Sequence, residues 1–234
     1  TDTAGNAGPS ATTDNYAIDT IRPTVAAFTM SDTALKIDDT ATVTLQFSEA
    51  VASFSSDDDI TVQNGSLATM TSSDNITWTG TFTPTSGVED SENVLTLATT
   101  YTDTAGNSPA STSATDNYTV DTTAATVVAF TLSDSALKIG DTATVTLQFS
   151  EAVASFSSSA DITVENGSLA TMTTTDNITW TGTFTPSSDV EDAENVMTLA
   201  TSYTDTAGNA GPSATTDNYA IDTIRPTVAA FTMS

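Results

Sequence analysis

The chain has 234 residues and carries 30 Asp and Glu against 4 Lys and Arg, a formal charge of −26. Binding to a phosphate backbone needs clustered basic side chains, so nucleic acid is excluded, and docking on an anionic membrane surface is disfavoured for the same reason. With no Cys and no His, disulfides, thiolate or imidazole metal sites and the common nucleophilic triads are excluded as well.

The chain repeats itself. Thr1 to Ser31 recurs without a change as Thr204 to Ser234, and Ser31 to Phe54 returns with small edits as Ser133 to Phe156, 102 positions on. A period near 100 residues is too long for a solenoid unit and is the size of one independently folding domain. The expected division is a final-strand region of a preceding repeat at 1–19, one repeat at 20–121, a second at 122–222, and the first strand of a following repeat at 223–234.

Along one repeat, apolar residues alternate with period two, the pattern of half-buried strands. Strands are expected near 24–30, 41–48, 59–63, 66–71, 76–83, 93–102 and 114–121. In the second, Val43, Leu45 and Phe47 point one way, with threonines and Gln46 opposite. In the fifth, Ile76, Trp78, Gly80 and Phe82 share a face; Trp78 and its counterpart Trp180 are expected core anchors. The sixth turns Leu95, Leu97 and Tyr101 inward. Asn64-Gly65 signals a two-residue hairpin between the third and fourth strands. Residues 84–87 and 103–107 carry turn chemistry, and Glu89, Asp90 and Glu92 are expected in an exposed turn. Seven antiparallel strands in about 100 residues predict an all-β fold of tandem immunoglobulin-like β-sandwich domains, arranged end to end as a rod.

This topology gathers the acids at the two ends of each repeat. The near end, where the chain comes in, holds Glu49, Asp59 and Asp103; the far end holds Glu89, Asp90 and Asp121. The second repeat matches them with Glu151, Asp161, Asp205, Glu191, Asp192 and Asp222. Asp57, Asp58 and Asp38 have no acidic match in the second copy, so they fit solvated loop charge. Stacked repeats bring one acidic far end against the next acidic near end, where close pairs repel by roughly 4 kcal/mol at an effective dielectric of 20. Ca²⁺ is the expected neutralising ion, because it accepts six to eight oxygens from carboxylates, carbonyls and Asn. The competing reading of the same acids is turn-forming Asp at strand ends.

Three elements then resemble a known family: Asp19-Thr20-Ile21-Arg22-Pro23-Thr24-Val25 at the linker, Phe47-Ser48-Glu49 at a strand end, and Tyr101-Thr102-Asp103-Thr104-Ala105-Gly106-Asn107 in a loop. Together they resemble the bacterial immunoglobulin-like extender repeats of giant biofilm-associated and repeats-in-toxin adhesins. The resemblance implies a stalk on the bacterial cell surface that projects a distal adhesive domain. It also implies Ca²⁺ at the junctions, held by Asp19, Glu49 and Asp103, then by Asp121, Glu151 and Asp205. One departure is Ala125 in the middle linker, where the flanking ones carry Pro23 and Pro226; that junction is expected to be less stiff.

The expected partners are neighbouring repeats of the same chain, with no small-molecule substrate and no membrane insertion. Catalysis is not expected, since the acidic turn has no His or Arg near it and nothing suggests a pocket. The alternative is a self-assembling extracellular fibre or surface-layer subunit, joined through homotypic contacts by β-strand complementation.

Overall fold

The computed structural model describes residues 1–10 and 12–233; Ala11 and Ser234 lie outside it. In the first repeat the chain forms β1 (Val25–Met30), β2 (Ala34–Lys36), β3 (Ala41–Phe47), one helical turn α1 (Ser56–Asp59), β4 (Ile60–Thr61) and β5 (Gly65–Leu67). Then come β6 (Thr77–Pro84), β7 (Glu89–Asn93), β8 (Thr96–Leu97), β9 (Ser113–Ala114) and β10 (Tyr118–Asp121). One sheet has the order β1-β3-β6-β5; opposite it lie two three-stranded ladders, β4-β8-β9 and β2-β10-β7. This is a two-sheet immunoglobulin-like sandwich.

The second repeat follows the same plan. It runs through β11 (Val127–Leu132), β12 (Ala136–Lys138), β13 (Ala143–Phe149), α2 (Ser158–Asp161), β14 (Ile162–Val164) and β15 (Gly167–Leu169). It continues with β16 (Thr179–Pro186), β17 (Glu191–Asn195), β18 (Met197–Leu199), β19 (Ala214–Thr215) and β20 (Tyr219–Asp222). Each repeat has its own core. Val43, Leu45, Phe47, Phe82, Leu95, Leu97 and Tyr118 are buried in the first, with Val145, Leu147, Phe149, Phe184, Met197, Leu199 and Tyr219 their counterparts. The alternation in β3 drives this, because its even-spaced apolar side chains all reach the inner face.

Several local expectations change. Glu89, Asp90 and Glu92 stand on a strand, β7, which pairs antiparallel with β10. No apolar alternation marks it, because its exposed face is polar and its inward residue is Asn93. That side chain is buried but satisfied, donating to the Asp90 and Tyr118 carbonyls at 3.0 and 3.1 Å. The Asn64-Gly65 turn does not close a hairpin within one sheet. It carries the chain from β4 in one sheet to β5 in the other, with Asn64 at φ 47°. Gly65 is required by packing: a Cβ there would lie 2.1 Å from the Phe82 ring. Trp78 and Trp180 are half-buried at the core's margin, edge-on to Phe54 and Phe156 at 4.9 Å.

Tyr16 and Ile18 are 74% and 75% exposed, whereas Tyr219 and Ile221, the same residues in the same local sequence, are each 1% exposed on β20.

Candidate metal centres

The near end of each repeat is organised by a five-residue loop. Asp103 Oδ1 accepts the Ala105 and Asn107 amides at 2.8 Å each, and its Oδ2 accepts Asn107 Nδ2 at 2.8 Å. Gly106 sits at φ 93°, in the left-handed region where a side chain is unfavourable. Asp205 and Asn209 repeat this ring, with Gly208 at φ 96°. The asparagine then straps the incoming linker: Asn107 Nδ2 donates to the Asp19 and Ile21 carbonyls, and Asn209 Nδ2 to the Asp121 carbonyl at 2.9 Å. The linker acid is thereby pinned beside the loop acid.

Two carboxylate trios result among the described residues. Asp19, Glu49 and Asp103 converge at the near end of the first repeat, and Glu89, Asp121 and Glu151 at the junction, with ligand oxygens within 4.8 Å of one another in each. The junction trio is built by both repeats. Glu89 and Asp121 are register partners on β7 and β10, and Glu151 follows β13 of the second repeat. Two oxygens on one Ca²⁺, each about 2.3–2.6 Å from it, lie at most about 5.2 Å apart, so either trio can surround one ion. An all-oxygen donor set in a chain without His or Cys suits a hard cation.

The clustered carboxylates act on one another as well as losing solvent. Desolvation, then Asp205, Asp121 and Glu89, raise the Glu151 carboxyl above its ordinary range. Desolvation, Asp19 and Asp103 do the same to Glu49. Asp121 is also raised, by desolvation and by Asp205. Asp205 thus acts on the junction trio although its own oxygens are engaged by its loop. Asp103 moves the other way: desolvation pushes it up, but the hydrogen bonds from Asn107, Ala105 and Gly106 together hold it below the usual value.

The remaining acids singled out by the sequence lie in neither trio. Asp59 and Asp161 are buried and close the α1 and α2 turns: Asp59 accepts the Ser55 amide at 2.8 Å and the Thr100 hydroxyl, Asp161 the Ser157 amide at 2.7 Å and the Ser202 hydroxyl. Asp90 and Asp192 accept Asn64 and Asn166 Nδ2 at 2.8 and 3.0 Å. Glu191 and Asp222 are register partners on β17 and β20, as Glu89 and Asp121 are on β7 and β10. They present the same pair of acids at the far end of the second repeat. Sequence reasoning missed the part played by Asn107 and Asn209; an Asp followed four residues later by Asn across a Gly was the available signal.

The middle linker carries further ties. Thr122 Oγ1 donates to the Thr85 carbonyl at 2.7 Å and accepts the Val88 amide at 3.0 Å. Ala125 is fully buried in the second repeat's core. The linker with Ala in place of Pro is therefore anchored by side chains on both sides.

Among the described residues no helix is long and apolar enough to cross a membrane. Comparison with curated proteins gives no match. Among solved structures, the chain is similar to FdeC, an adhesin of Escherichia coli, at 12% identity over 81% of this chain and 62% of that one, with a TM-score of 0.41. Yersinia pseudotuberculosis InvD is similar at 15% identity over 88% and 60%, TM-score 0.35. A titin immunoglobulin tandem is similar at 10% over 84% and 66%, TM-score 0.29. This chain thus spans about three fifths of the length of the FdeC and InvD structures. A family model described as bacterial Ig-like domain matches residues 19–120 and again 121–221. The chain belongs to the bacterial Ig-like domain family, of which it carries two tandem copies.

Proposed function

We propose that this chain is an extender segment in the stalk of a bacterial surface adhesin of the giant biofilm-associated or repeats-in-toxin type. It works outside the cell, and its repeats are stiffened by Ca²⁺ at their junctions so that a distal adhesive domain is held away from the surface. The observation that supports this most is the junction trio, because Glu89 and Asp121 belong to one repeat and Glu151 to the next. An ion shared there couples two domains and offsets the desolvation and neighbouring carboxylate charge that raise Glu151 and Asp121. Asp19 and Glu49 correspond to Asp121 and Glu151, with Asp103 completing that trio where Glu89 completes the junction one. Calorimetric titration with Ca²⁺, with melting followed in parallel, tests the proposal. Binding with a rise in Tm is expected; a Tm indifferent to chelator would reduce the acids to solvating charge.

A second reading is a self-assembling fibre or surface-layer subunit joined by β-strand complementation between copies. Sedimentation over a range of concentrations separates the two: a single 24.0 kDa species supports the extender, and growth into polymers supports the fibre.

A further inference from the structure

Beside the Asn209 Nδ2 strap to the Asp121 carbonyl, a second hydrogen bond crosses the junction without any carboxylate. The Ile37 amide, in the turn after β2, donates to Asn209 Oδ1 at 2.8 Å. Both sides are shaped before they meet. In the first repeat Asp39 closes the turn, accepting the Lys36 amide at 3.1 Å and Lys36 Nζ at 2.9 Å, with Asp38 at φ 66°. In the second repeat Asn209 Nδ2 is held by Asp205 and by the Asp121 carbonyl. That fixes the amide plane and turns Oδ1 toward the first repeat. Gly208 lies along the Lys36 stem, where a Cβ would be 3.5 Å from Lys36 Cδ. Asn209 is 2% exposed, whereas its counterpart Asn107 is only half-buried.

The chain contains its own controls. Asn107 makes the same loop and linker bonds as Asn209, yet its Oδ1 meets no donor among the described residues. Ile139, the counterpart of Ile37, offers its amide to no acceptor among the described residues. Calcium tolerates flexible coordination geometry, so an ion fixes proximity better than angle. A hydrogen bond is directional, weakening steeply when misaligned.

We propose that Asn209 is an interdomain latch. The Asp205–Asn209 loop docks on the Lys36–Ile37 turn of the repeat before it, and this contact adds a directional constraint to the junction that a shared ion holds closed. The latch serves an extender, and its purpose rests on that reading; the hydrogen bond itself involves no ion.

Amide hydrogen exchange by NMR on the whole chain, in Ca²⁺ and in chelator, tests it. Ile37 and Ile139 both follow a lysine, so their intrinsic exchange rates match. In Ca²⁺, Ile37 is expected to exchange roughly two- to tenfold more slowly than Ile139, the net effect of one hydrogen bond. Asn209→Ala should abolish the difference and Asn107→Ala should leave it. Because the chain has no cysteine, spin labels on Ser66→Cys and Ser168→Cys report the interdomain distance directly. Its distribution should broaden in Asn209→Ala alone. Equal exchange at Ile37 and Ile139 in the unmodified chain overturns the latch, a result that needs no variant to fold. So does equal broadening in both alanine variants. Calcium binding with a fast Ile37 amide defeats the latch and leaves the calcium proposal standing. A slow Ile37 amide, freed only by Asn209→Ala, in a chain that binds no calcium does the reverse.

Discussion

Replacing Glu151 by Gln should change stability in opposite directions with and without calcium. Its carboxylate faces Asp121 and Glu89 with ligand oxygens within 4.8 Å, and Asp205 raises its pKa further. Two unit charges 4.8 Å apart repel by about 0.9 kcal/mol in water and about 3.5 kcal/mol at an effective dielectric of 20. Glu151 is half-buried and Glu89 exposed, so the lower part of that range applies, about 1–2 kcal/mol in total. Opening the junction relieves the terms from Asp121 and Glu89, but not that from Asp205 in the same repeat. In chelator, Glu151→Gln should therefore raise the Tm of the second repeat, by about 4–8 °C for each kcal/mol in a domain of this size. In Ca²⁺ the sign reverses. The native chain gains about 2.7 kcal/mol at a hundredfold excess of ion over Kd, and the variant loses a charged ligand and most of that gain. Scanning calorimetry of both proteins in both buffers gives the four numbers needed. A variant less stable than the native chain in chelator would refute the repulsion argument, whatever calcium does.

Other outcomes follow from the same geometry. Glu49→Gln or Asp103→Ala should lower the calcium stoichiometry by calorimetry, whereas Asp57→Ser, which copies the second repeat, should not. Asp59→Ala should destabilise the first repeat by about 1–3 kcal/mol, by stranding the Ser55 amide and Thr100 hydroxyl, yet keep the ion count; a lost ion would return Asp59 to the ligand set. Stability against pH should peak on the acid side in chelator. Glu49, Glu151 and Asp121 are raised in the folded state, so the folded form is favoured below their ordinary values of 4.5 and 3.8 and that advantage is lost as pH rises through the shifted values. Asp39, Asp103 and Asp141 are lowered, and their contribution is lost as pH falls below 3.8. Thermal melts from pH 3 to pH 8 check this, and a Tm that climbs steadily to neutrality in chelator would contradict it.

Strands whose own residues announce them were legible. The alternation in β3 and β6 specifies both strand and inner face, and Leu95, Leu97 and Tyr101 are buried where the pattern put them. What escaped was structure imposed by a partner. β7 is a strand because β10 lies beside it, and β2 is three residues held in parallel by β10; neither has a periodic signal of its own. The turn at Asn64-Gly65 was visible, but the sheet joined by each flanking strand depends on β6 and β8, far away in sequence. At the candidate site, strand direction alone brought Glu89 and Asp121 to the end that meets Glu151. Asp59 and Asp161 accept local amides, and a carboxylate that does so has the same sequence appearance as one that holds an ion. Asn209 was invisible as a junction residue, since its acceptor role depends on a turn 172 residues earlier.

If calcium stiffens this chain of domains, its ends should move apart when the ion binds. Strands of about eight residues rise roughly 3.3 Å each, so two stacked repeats with their polar loops should span about 80–100 Å. Small-angle scattering of the intact chain in Ca²⁺ and in chelator measures this directly. Calcium should give the longer maximum dimension and a rod-like profile, and chelator a shorter mean span as the junction carboxylates repel and the linker bends. Identical profiles in the two buffers would contradict a calcium-stiffened extender.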